Sequence, residues 1–120
     1  MVSNDYKEKA SRAYLEHIKA KSIMLGMLET EIHLASRRGL LDDAGILVER
    51  RDRYVDEVHE AKCLLRRLDR MESRILVGQY LEGKSQESIA DEVGYAVRTV
   101  QRINQTARQD LYDWLPDDYK

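Results

Sequence analysis

The stretch that most constrains this chain runs from Ser85 to Gln105, Ser-Gln-Glu-Ser-Ile-Ala-Asp-Glu-Val-Gly-Tyr-Ala-Val-Arg-Thr-Val-Gln-Arg-Ile-Asn-Gln. It reads as two short helices joined at a glycine. Ser85 is placed to cap the first, because its hydroxyl can accept a free backbone N–H of the opening turn. Ile89, Ala90 and Val93 then fall on one face. Gly94 follows, where a helix end calls for a positive φ that glycine reaches without steric cost. In the second helix, Val100, Ile103 and Ala107 form an inner stripe that Leu111 and Trp114 prolong. Arg98, Gln101 and Gln105 recur at i, i+3 and i+7 on the opposite side.

A small residue at the crossing, a turn residue four places later and an outward polar stripe make the plan of a DNA-binding helix-turn-helix. Arg offers paired donors and Gln a donor beside an acceptor, patterns that match purine edges in the major groove. Arg98, Gln101, Arg102 and Gln105 are the base-contact candidates. Lys84, Ser85, Thr99 and Arg108 are the candidates for phosphate. Each also has a plainer reading as a cap or a solvated side chain.

The rest of the chain is expected to be all-α. It has one proline, Pro116, no phenylalanine and no Asn-Gly or Asp-Gly hairpin turn. From about Asn4 to Ser36, apolar residues at Tyr14, Ile18, Leu25, Leu28, Ile32 and Ala35 mark a long helix that ends at Arg37-Arg38-Gly39. A second helix is expected from about Ala44 to Met71, capped by Asp42 or Asp43, with Leu47, Tyr54, Val58, Ala61, Leu65 and Leu68 inside. Residues 1–71 thus read as an antiparallel helical hairpin for oligomerisation or partner binding. Residues 72–115 read as the DNA-binding unit, with Arg74 to Glu82 as its scaffold helix. Residues 116–120 read as a frayed tail.

Net charge is −2, but its distribution is uneven. Ala61 to Arg108 holds nine Lys/Arg against six Asp/Glu, whereas the first sixty residues hold ten against twelve. Arg66, Arg67, Arg70 and Arg74 form a basic run leading into the suspected reading unit. Cys63 stands alone, which excludes an intrachain disulfide and fits a reducing cytoplasm. No apolar run approaches a membrane span. His17, His33 and His59 lack partners at ligand spacing, and no nucleophile–base arrangement or phosphate-cradling loop occurs. Neither an enzyme nor a cofactor or metal is expected.

From about Leu68 to Leu111 the chain resembles the region-four-like helix-turn-helix of bacterial sigma factors. Arg74-Ile-Leu, Tyr80-Leu-Glu-Gly-Lys-Ser, Glu87-Ser-Ile-Ala, Val93-Gly-Tyr and Arg98-Thr-Val-Gln-Arg-Ile carry the likeness. Within that group it is most similar to small phage and prophage proteins, including the ArpU/RinA-type late-gene transcriptional regulators. The resemblance implies double-stranded DNA as partner, and RNA polymerase if the sigma likeness extends that far. It departs at Ala96, where such domains carry Ser or Thr. A DNA-packaging recognition subunit and a protein-binding adaptor are the competing readings.

Overall fold

The computed structural model describes residues 2–120, and every regular element among them is helical. Helix α1 spans Asn4–Arg37 and α2 spans Leu41–Leu65. Helix α3 spans Arg70–Leu76 and continues into a π-helical turn at Val77–Leu81. Helix α4 spans Gln86–Val93 and α5 spans Val97–Leu111. Short 3₁₀ turns at Tyr112–Trp114 and Asp117–Tyr119 complete the chain. No helix is long and apolar enough to cross a membrane.

Local chemistry accounts for most of these boundaries. Ser3 caps α1 by accepting from the Tyr6 N–H at 3.1 Å. Gly39 and Gly94 end helices with φ of 74° and 76°, a region closed to most side chains. Helix α2 starts at Leu41 rather than Ala44. Its N-cap is Leu40, and neither Asp42 nor Asp43 caps it by its side chain.

The break between α2 and α3 needs neither glycine nor proline. The chain leaves the helix after Leu65, and the Asp69 carboxylate accepts from the Glu72 N–H at 2.9 Å. That bond opens a new helix and holds the Asp69 carboxyl below its usual range. The second helix is therefore shorter than the expected run to Met71. The third begins at Arg70, so the boundary expected after residue 71 falls inside α3.

The core also crosses that boundary. Tyr14, Leu15 and Ile18 of α1, Val58, Ala61 and Leu65 of α2, and Leu76, Tyr80, Ala107 and Leu111 from the C-terminal half bury one another. Each fully buried leucine contributes on the order of 2 kcal/mol. A smaller cluster of Ile75, Ile89, Ala90 and Val100 joins α3, α4 and α5.

The tail is not frayed. The Tyr6 hydroxyl donates to the Lys120 carbonyl at 2.8 Å, and the Lys120 ammonium donates to the Asp113 carbonyl at 2.8 Å. Tyr119 stands edge-on to Tyr14 with ring centroids 5.2 Å apart. Trp114 does not extend the inner stripe. The α-helix tightens after Leu111, Tyr112 and Leu115 turn inward, and Trp114 stays 36 % exposed.

Candidate nucleic-acid interface

Helix α5 divides into two faces. Val100, Asn104, Ala107 and Leu111 are completely enclosed, and Arg108 is nearly so. Arg98, Gln101, Arg102 and Gln105 are all exposed. Their spacing of i, i+3, i+4 and i+7 places the four on one side of the helix. The four base-contact candidates therefore share one open surface. Neither Arg98 nor Arg102 enters an ion pair among the described residues.

The neighbouring helix supports this surface. Ser85 caps α4 by accepting from the Ser88 N–H at 3.1 Å. Gln86, at the start of α4, accepts a hydrogen bond from Gln101 at 3.1 Å. This contact orients the Gln101 amide and brings Gln86 to the edge of the exposed stripe, a position the periodicity alone did not mark. Gly94 then turns the chain, with its N–H and that of Tyr95 both reaching the Ala90 carbonyl, at 2.9 and 3.1 Å. Tyr95 is 45 % exposed at the corner.

The phosphate candidates divide. Ser85 is exposed and Thr99 half-buried, both near the N-terminal ends of α4 and α5. Lys84 is engaged locally by Glu92 at 2.8 Å and Glu82 at 3.3 Å. Those carboxylates hold its ammonium above the usual lysine range, Glu92 first, and Lys84 in turn lowers Glu92. Lys84 is thus paired with one carboxylate before α4 and one within it.

Arg108 requires a correction, because it does not face solvent. Its Nε and Nη2 donate to Glu8 Oε1 at 2.8 and 2.7 Å, and Nη1 donates to Asn104 Oδ1. The Asn104 amide in turn donates to Gln79. A polar seam thus runs beneath α5 from Gln79 through Asn104 and Arg108 to Glu8. The apolar pattern concealed it, since Asn104 lies between Ile103 and Ala107 on a stripe that reads as hydrophobic.

A second polar cluster lies between α3 and α5. Glu72 is buried, and one of its carboxyl oxygens has no hydrogen-bond partner. Burial, then the Asp69 and Asp110 carboxyls beside it, push its pKa up to about 8. Glu72 therefore holds its proton to a higher pH than an ordinary glutamate.

Helix α5 opens without a side-chain cap, because Ala96 has the extended backbone of an N-cap and no hydroxyl to use it. Of the basic run, Arg66, Arg67, Arg70 and Arg74 are all exposed. Among the described residues no group of three or more His, Cys, Asp or Glu could hold a metal ion. No family model, curated protein or solved structure matches the chain, so its own geometry is the guide to what this surface binds.

Proposed function

We propose that the chain is a sequence-specific DNA-binding protein, a transcriptional regulator of phage or prophage type whose C-terminal unit is a helix-turn-helix. Helix α5 is the recognition helix and enters the major groove. The two-faced construction of α5 supports this reading: its buried side packs against the core, and Arg98, Gln101, Arg102 and Gln105 are exposed on the other side. Arg98, in the first turn, is placed to reach a base edge, since recognition helices read with their N-terminal residues. Gln101 follows with its amide oriented by Gln86. Ser85 and Thr99 lie where they can meet the flanking phosphates, and Arg66, Arg67, Arg70 and Arg74 add a longer-range positive field.

The test is selection of a binding site from random duplexes, followed by anisotropy titrations over a range of salt. A selected site with affinity falling steeply as salt rises is the expected outcome. Arg98→Ala with Arg102→Ala is expected to weaken that site by about tenfold to a hundredfold. Full affinity in this double variant would overturn the assignment of the surface. No affinity for any duplex at low salt would point to a protein partner instead.

A further inference from the structure

Helix α1 carries two apolar seams, and only one of them has a partner in the chain. The inner seam, through Tyr14, Ile18, Leu25, Leu28, Ile32 and Ala35, faces α2. On the opposite side Ala20, Ile23, Met27, Thr30 and Leu34 recur with spacings of three, four, three and four. That is the repeat of a coiled-coil seam. All five are exposed, Ile23 and Met27 at 61 % and 60 %. Thr30 presents its methyl group without an unmet hydroxyl, because the hydroxyl donates to the Gly26 carbonyl at 3.3 Å.

We propose that this outer seam binds a second copy of the chain, with the two α1 helices antiparallel about a two-fold axis at Met27. Charge at the ends of the seam selects this occupant and this direction. Glu16 precedes the apolar positions and Arg37 and Arg38 follow them. All three are exposed and form no ion pair among the described residues. An antiparallel copy sets Glu16 against Arg37 and Arg38 at both ends. A parallel copy sets Glu16 against Glu16 and Arg37 against Arg37. The antiparallel register also opposes Ala20 to Leu34 of the second copy, small against large, and Met27 to Met27.

Gly26 supports the same arrangement. A mid-helix glycine costs about 1 kcal/mol relative to alanine, so it calls for a reason. Nothing within the chain lies within 4 Å of where its Cβ would stand. It directly precedes Met27, so one flank of the seam carries no side chain at its middle. The pairing involves no DNA-contacting residue and goes beyond the proposed DNA-binding function.

Sedimentation equilibrium of the full chain without DNA tests the proposal. The native protein is expected to dimerise in the micromolar range, and Ile23→Glu with Met27→Glu to weaken the dimer by roughly tenfold or more. Both positions are exposed, so far-UV circular dichroism should be unchanged. Gly26→Leu is expected to raise helix stability and yet weaken the dimer. With exposed Cys63 replaced by Ser, Met27→Cys should oxidise to a linked dimer and Ala20→Cys should not. A monomeric native chain, a dimer indifferent to the double substitution, or cross-linking through Ala20→Cys would overturn the proposal.

Discussion

Glu8 and Arg108 stand 100 positions apart in the chain and form a buried ion pair, with Arg108 Nη2 2.7 Å from Glu8 Oε1. Arg12 Nη2 donates to the same oxygen at 2.5 Å. The pair joins the first turns of α1 to the last turns of α5. It ties the orientation of α5 to that of α1, at the edge of the exposed stripe. Removing Glu8 leaves the Arg108 charge buried without a carboxylate, which costs about 3–5 kcal/mol, whereas removing Arg108 leaves Glu8 still paired with Arg12. Glu8→Ala is expected to lose stability on that order in urea denaturation, and Arg108→Ala to lose less because Arg12 still pairs with Glu8. The double replacement Glu8→Leu with Arg108→Met should lose much less. Purely additive losses would mean that the two charges do not act together.

Ala96 offers a gain. Its backbone, at φ −68° and ψ 150°, already has the shape of an N-cap. Ala96→Ser is expected to add about 1 kcal/mol by accepting a free N–H of the first turn of α5. Thermal unfolding should show a higher midpoint. An unchanged midpoint would mean that the first turn is already satisfied by water.

Gly94 offers the converse. At φ 76° an alanine is strained by about 1–2 kcal/mol, although its Cβ would meet nothing within 4 Å. Gly94→Ala should therefore lower stability by that amount. Gly94→Asn, which tolerates the left-handed region better, should lose less. Equal losses would indicate a steric rather than a conformational cause.

Glu72 predicts a pH dependence. Its folded pKa of about 8 lies above the ordinary value of 4.5. The folded state therefore binds the proton more tightly than the unfolded chain. Stability is greatest below about pH 4.5, as far as this group is concerned. It declines as pH rises toward 8 and is flat beyond. Glu72→Gln cannot ionise and should remove this decline, leaving the variant more stable than the native chain at pH 8 by on the order of 1–3 kcal/mol. Parallel stability–pH curves for the two proteins would refute it.

Much of the fold was legible in residue order because its causes are local. Ser85 caps whichever helix follows it, and Gly39 and Gly94 take left-handed conformations wherever a helix ends on them. The stripes of α1 and α5 follow from helical periodicity, as does the common face of Arg98, Gln101, Arg102 and Gln105. The break at Asp69 is not visible in the apolar periodicity, because a cap bond can interrupt a helix without glycine or proline to announce it. Trp114 leaves the inner stripe because the last turn tightens, and one tightened turn rotates every later side chain.

By itself, then, the sequence determined the long first helix, the Ser85 and Gly94 caps and the polar stripe on α5, since each depends on residues within a turn or two of one another. Only the tertiary structure decided the fate of Arg108. Its position allows it to face either way, and what turns it inward is a carboxylate at the far end of the chain. It also decided that α1 and the C-terminal helices share one core, that the tail closes against α1, and that burial raises the pKa of Glu72. Each of these depends on which distant groups exclude water from a given atom, and no pattern along the chain encodes that.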